Sequence, residues 1–489
     1  MTSTVKAATA LALAFSLGGC YYPTVGRIKP EPPMKPKAAD ILALKYKPIQ
    51  TDLPKSRVVK LSNGVKVHLM RNDELPIVQV TAMIKAGGLW EPANKTGLSA
   101  ITGIAIRSGG AGALGPDALN DTLEQMGAHV EVSISEESAR AFLSVLKKDA
   151  DAGLSIFADV IKNPRFDPDR FELERARAMD AVRRENDEPT HIGDRELRKL
   201  IYNGTPYGRS ATLETLRSIT VKDAQAFHKK YFTPSSMILG VTGDFDEQKL
   251  LARLEGLFGK WKAPKPDYPQ TAPAKEVYEG GLFVAAKKLP QAVIRAGHLT
   301  LKRTDPDYHA VLVMDEILGG SGFASRLTQK VRSERGLAYS VWSYVNAGRW
   351  ELGIFAVGAE TKTASAGEVA GIFNEEIEKI RSEAVTPEEL ALARNSIVNS
   401  FVFIFDTPAR ILEQRMIVDY YGMPEGYLET FRDRVMAVTA GDVLRVARKY
   451  LHPEGLKMVV VGDPDVLAKS LPGYSSARKI ALRDYNSKN

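Results

Sequence analysis

ITVKDAQAFHKKYFTPSSMILGVTGD, residues 219–244, and VTAGDVLRVARKYLHPEGLKMVVVGD, residues 438–463, are one segment written twice. At a constant offset of 219 positions, Ile219-Thr220 meets Val438-Thr439, Asp223 meets Asp442, and Lys230-Tyr231 meets Lys449-Tyr450. Pro234 meets Pro453, Val241 meets Val460, and Gly243-Asp244 meets Gly462-Asp463. The same offset holds upstream: Pro168 meets Pro387, Leu173 meets Leu392, Arg175 meets Arg394, and Asp187 and Pro189 meet Asp406 and Pro408. A common helix–strand rhythm aligns a few apolar positions by chance. It does not hold Pro, Gly, Asp and Tyr at one offset from residue 168 to residue 244. The chain is therefore an internal duplication.

Working outward, the first copy closes with a helix near 221–231, the apolar strand Met237–Val241 and Gly243-Asp244. The first copy opens with Val58–Met70, where Asn63-Gly64 signals a hairpin turn. A strand is predicted at Val78–Lys85, a helix after Lys95-Thr96-Gly97, an alternating strand at Ala128–Ser133, and helices over 147–161 and 167–185. The second copy repeats this from Gly281 and ends with the strand Lys457–Val461. The pattern predicts an α+β protein of two homologous domains, each a mixed β-sheet with helices packed on one face. Pro264, Pro266, Pro269 and Pro273 mark a linker, 264–275, between domains at 51–263 and 276–480.

The 489 residues suit two to three domains. With 44% hydrophobic and 26% charged residues, the composition is that of a globular protein. The 66 basic residues exceed the 59 acidic ones only mildly and lie along the whole chain, which argues against nucleic-acid binding. The single cysteine, Cys20, excludes internal disulfides and thiolate metal clusters. It follows Lys6, a short apolar run from Ala7 to Leu17, and Leu17-Gly18-Gly19. This reads as a signal peptide, 1–19, and not as a spanning helix. Leu-Gly-Gly-Cys resembles the bacterial lipobox, whose cysteine is lipidated, and Tyr21 in place of Asp points to the outer membrane of a Gram-negative envelope, facing the periplasm. Six prolines between residues 23 and 48 make 20–50 an extended tether.

The segment from Lys95 to Ala105, the duplication, the 319–341 stretch and the Tyr-x-x-Pro…Gly-Asp endings together resemble the insulinase/pitrilysin (inverzincin) family of zinc peptidases, over residues 55–480. Active members carry H-x-x-E-H on the helix that begins here. Two histidines one turn apart bind zinc, and the Glu activates its water. In this chain those positions hold Ala100, Gly103 and Ile104. The family's distal Glu falls at Ala181, beside Asp180. None of the four can bind zinc or move a proton, so the resemblance implies no metal in this chain. The nearest histidines, His68 and His129, are more than 20 residues away, and His129 alternates with strand residues as an edge or surface side chain. Glu185, Asp187 and Glu188, next to Arg183 and Arg184, read as a solvated helix end.

The second copy keeps another feature. Gly319, Gly320 and Gly322 form a glycine-rich turn, Ser325 opens a helix running to about Arg335, Gly336 ends it, and Leu337–Val345 alternates as a strand. Arg332 and Tyr339, within Arg-Gly-Leu-Ala-Tyr-Ser, match the family's pair that reaches from the non-zinc half to the substrate and its tetrahedral intermediate. The glycines resemble a shortened form of the substrate-sensing loop of the non-catalytic processing-peptidase subunit. The resemblance implies a non-catalytic subunit that supplies Arg332 and Tyr339 in trans. Its partner would be a zinc-binding insulinase-family subunit, with zinc in the partner and an extended peptide as substrate. A structural or peptide-binding scaffold is the alternative. An unrelated enzyme lacks support, because no nucleophile–base pair or phosphate loop stands out.

Overall fold

The computed structural model describes residues 53–483 and Tyr485; the signal peptide, Cys20 and the tether lie outside the described residues. The fold is two six-stranded mixed sheets with helices, as the duplication predicts. The first sheet comprises β1 (Arg57–Lys60), β2 (Lys66–Arg71), β3 (Ile77–Ile84), β4 (His129–Ile134), β5 (Ala139–Leu146) and β6 (Met237–Gly243), in the order β1-β2-β6-β3-β5-β4. Asn63-Gly64 turns β1 into antiparallel β2, with Gly64 at φ +90°, the left-handed region that glycine alone enters without strain. The second sheet comprises β7 (Gly281–Ala286), β8 (Gln291–Thr300), β9 (Ala338–Asn346), β10 (Gly353–Lys362), β11 (Lys457–Gly462) and β12 (Arg478–Ile480), in the matching order β12-β7-β11-β8-β10-β9.

Seven helices matter for the site: α1 (Leu98–Ser108), α2 (Pro168–Arg183), α3 (Pro189–Ile201), α4 (Val221–Tyr231), α5 (Tyr308–Asp315), α6 (Pro408–Tyr420) and α7 (Ala440–Tyr450). The duplicated segment explains its own ends. Thr220 and Asp223 close a capping box on α4, and Thr439 and Asp442 close the same box on α7. Alternate residues of each strand enter a core beneath their own half's helices. Val80, Leu239 and Phe157 lie at the centre of the first core, and Ile294, Phe373 and Val460 at the centre of the second.

The other face of each sheet is also covered, by one helix from the opposite half. Helix α3 lays Ile192, Leu197 and Ile201 on Val293, Val459 and Val461 of the second sheet. Helix α6 lays Ile411, Leu412 and Met416 on Met70 and Met83 of the first. Pro189 and Pro408 start these two helices at the repeat offset, so the exchange is symmetric. Ion pairs fix both helices to the foreign sheet. Asp194 of α3 accepts from Arg295 at 2.7 Å, and Asp419 of α6 meets Lys66 at 2.5 Å and His68 at 3.0 Å.

Candidate functional site

Helix α1 starts at Gly97, whose φ of +103° suits glycine. The buried Glu91 carboxylate accepts the Gly97 and Ser99 amides at 2.9 and 2.8 Å, satisfying donors that a helix N-terminus leaves open. Burial pushes this carboxyl above its usual range. One turn apart on the helix, Ala100 and Ile104 face outward, and Ile104 is 46% exposed. Gly103 is buried against the edge strand β4. A Cβ there would lie 2.9 Å from Ile134 N and 2.9 Å from Ile134 Cγ1. Ala181 is exposed on α2, and its neighbour Asp180 pairs with Arg184. No group of three or more metal-ligating side chains occurs among the described residues. The residues at this place do not fit a zinc ion: they offer two alkyl side chains and a glycine with no room for a carboxylate.

The other sequence-predicted groups take ordinary positions. His129 stands exposed on edge strand β4, 3.2 Å from Glu131. His68 is buried between Ser56 and Asp419. Asp187 and Glu188 are exposed, as a solvated helix end requires, whereas Glu185 is largely covered and pairs with Arg195 at 3.6 Å.

In the second half the glycines are tighter than a loop. Helix α5 runs directly into a π-helical turn, Glu316–Gly320, and Gly319 is buried against the edge strand β9. A Cβ on Gly319 would meet Ser343 N at 2.3 Å. Gly320 and Gly322 are exposed, and Gly322 has φ +55°. The predicted helix after Ser325 is a second π-helical stretch, Thr328–Glu334, and Gly336 at φ +59° ends it. Beneath the first turn, Asp315 accepts from Ser343 Oγ at 2.6 Å and from Val345 N at 3.0 Å. Burial pushes its carboxyl up to about 7.

These elements bring Arg332 and Tyr339 together. The guanidinium carbon lies 4.3 Å from the centroid of the Tyr339 ring, which is 82% exposed. Ser340 pairs with Glu360 and Ala338 with Thr361, so Tyr339 is the extra residue of a β-bulge. A bulge frees a side chain from strict alternation, and here it turns the phenol outward. Sequence reasoning missed Phe323, whose ring centroid lies 4.5 Å from the same guanidinium carbon. Its place directly after Gly322 was the one available signal.

Comparison with known proteins places the chain by family and fold. The family description "Insulinase (Peptidase family M16)" matches residues 66–214, and "Peptidase M16 inactive domain" matches residues 218–397. A probable mitochondrial-processing peptidase subunit beta from Arabidopsis thaliana is 26% identical over 87% of this chain and 81% of its own. The non-peptidase homolog YmxG of Helicobacter pylori is 24% identical over 82% of this chain and 93% of its own. A crystal structure of a peptidase M16 inactive domain from Pseudomonas fluorescens superposes with TM-score 0.75 at 23% identity, over 83% of this chain and 98% of that one.

Proposed function

The chain belongs to the insulinase family, peptidase family M16, and from that premise we propose that it is the non-catalytic subunit of a cell-envelope zinc peptidase. One observation carries the proposal. The position of the zinc helix holds Ala100, Gly103 and Ile104, while the half-buried Arg332 lies beside the exposed Tyr339 ring at 4.3 Å. A partner of the same family would supply zinc and the general base. Arg332 and Tyr339 would donate hydrogen bonds to charge developing on the substrate carbonyl oxygen. Cys20 would carry a lipid that tethers the pair to the outer membrane, facing the periplasm. No helix among the described residues is long and apolar enough to cross a membrane.

A scaffold role is favoured by a different observation. Strand addition by a peptide needs a free sheet edge. On β9, Asp315 holds the Val345 amide and Gly319 covers that of Ser343. On β4, Arg107 Nε donates to the Val130 carbonyl at 2.9 Å. Affinity purification from the native host separates the readings. An H-x-x-E-H relative that co-purifies and gives a peptide-cleaving pair supports the subunit role. A partner without a zinc motif rejects it. Location has its own test: Cys20→Ser should leave the protein soluble or unprocessed in fractionated cells, because one membrane signal has then been removed. Unchanged membrane association would reject the lipid anchor.

A further inference from the structure

The Arg332 guanidinium lies over two aromatic rings. Tyr339 lies at 4.3 Å and Phe323 at 4.5 Å. Both rings are largely exposed, at 82% and 67%. Among the described residues, no acceptor takes a hydrogen bond from this guanidinium, whereas the nearby Arg326 and Arg335 are committed to Glu389 and Glu368. A stacked guanidinium keeps its delocalised faces covered and offers only its in-plane N–H edge. That edge is the part which matches a carbonyl or carboxylate oxygen. Phe323 reaches its place through the two features that flank it: Gly322 turns the chain at φ +55°, and Gln329 Nε2 donates to the Phe323 carbonyl at 2.6 Å.

We propose that Phe323 is a positioning residue that clamps Arg332 against Tyr339, so that the guanidinium meets an incoming acceptor edge-on. Without the second ring, Arg332 is a long flexible cation in contact with Tyr339 alone. With it, the plane is set before substrate arrives, and orientation is the quantity that Phe323 controls. The proposal rests on reading Arg332 as a substrate contact, and its test has one arm that does not.

The first arm uses the mature chain alone. The Arg332 Nε–Hε resonance, assigned by its disappearance in Arg332→Lys, should show a ring-current shift that Phe323→Ala and Phe323→Leu both reduce and Phe323→Trp keeps. Leucine restores bulk without a ring, so an effect of bulk alone would separate it from alanine. An Arg332 resonance unchanged in Phe323→Ala overturns the clamp, whatever the activity. The second arm uses the reconstituted peptidase pair. Phe323→Ala should lower kcat about ten- to hundredfold with KM within about twofold, and Phe323→Trp should restore it. A raised KM with unchanged kcat would make Phe323 a plain binding contact and reject the positioning role. If the ring-current result holds but no zinc-bearing partner yields a peptidase, the clamp stands and the subunit reading falls.

Discussion

Gly103 has no room for the carboxylate that a zinc peptidase needs there. Its missing Cβ lets α1 ride on the Ile134 amide of β4, so Gly103→Glu must push the strand aside. Overpacking of this kind costs about 1–3 kcal/mol, and chemical denaturation should show a loss in that range. Restoring the motif with Ala100→His, Gly103→Glu and Ile104→His should still give no stoichiometric zinc by elemental analysis, because Ala181 leaves the third protein ligand missing. One zinc per restored chain would mean that α1 and β4 separate more easily than their contact implies. A buried histidine gives a second prediction at this scale. His228 is enclosed, and its Nε2 donates to the Ile161 carbonyl at 2.8 Å. Burial pushes its pKa down to about 4, against about 6.5 in the unfolded chain. The sign follows: the unfolded state takes up the proton first, so the stability is complete above about pH 6.5 and is lost as pH falls toward 4. The full loss is about 3 kcal/mol. His228→Gln, which keeps a donor but does not titrate, should flatten the stability–pH curve in that window. Parallel curves for the two proteins would assign the acid sensitivity to other groups.

Among the elements, the exchanged helices hold the two halves together. Packing at the two crossings is complementary. In one, Gly240 on β6 receives Leu412 and Met416 of α6; in the other, Gly193 on α3 receives Val293 and Arg295 of β8. The small residue sits on the strand in one half and on the helix in the other, and close approach is conserved while its source is not. A Cβ on Gly240 would meet Met416 Sδ at 2.2 Å, so Gly240→Ala should destabilise by about 1–2 kcal/mol. Met416→Ala alone should also destabilise, by roughly 2–5 kcal/mol, because its side chain is fully buried. The double variant should be more stable than the sum of the singles predicts, since the second change removes the clash made by the first. Strict additivity in denaturation would show that α6 does not press on β6. The repeat was legible because proline, glycine and the Thr and Asp at the helix starts act locally, and local signals survive in one sequence. The destination of α3 was not legible. Ile192, Leu197 and Ile201 mark an apolar stripe, but a stripe does not say which sheet it will meet. The bulge at Tyr339 was hidden for a related reason: Leu337–Val345 alternates well enough to read as a regular strand, and the extra residue exists only relative to β10. The missing zinc ligands were fully legible, since chemistry that needs histidine cannot be done by Ala100 and Ile104.

At the scale of the whole molecule, one half carries Ala100, Gly103 and Ile104 on α1 and the other sets a half-buried Arg332 beside the exposed phenol of Tyr339. That division makes sense if catalysis is completed between two chains. In a reconstituted pair with a zinc-bearing relative, Arg332→Ala and Tyr339→Phe should each reduce kcat by about 10²–10³, the usual loss when one oxyanion donor is removed. Assembly should be unaffected, because Tyr339 is 82% exposed and neither side chain holds the fold. Sedimentation of the pair before and after substitution checks this. KM should move little, since a donor that acts on charge appearing in the transition state leaves ground-state binding alone. Arg326 is the control. It makes a double hydrogen bond to Glu389 at 2.7 and 3.0 Å, within the capping box that starts the helix at Pro387. Arg326→Ala should therefore lower thermal stability while leaving kcat of the folded protein near its original value. If Arg332→Ala and Tyr339→Phe leave cleavage unchanged, the pair has no part in the reaction and the scaffold role gains its strongest support. If all three substitutions reduce turnover in step with stability, the loss reports folding alone, and transition-state contact by Arg332 and Tyr339 is rejected on that result as well.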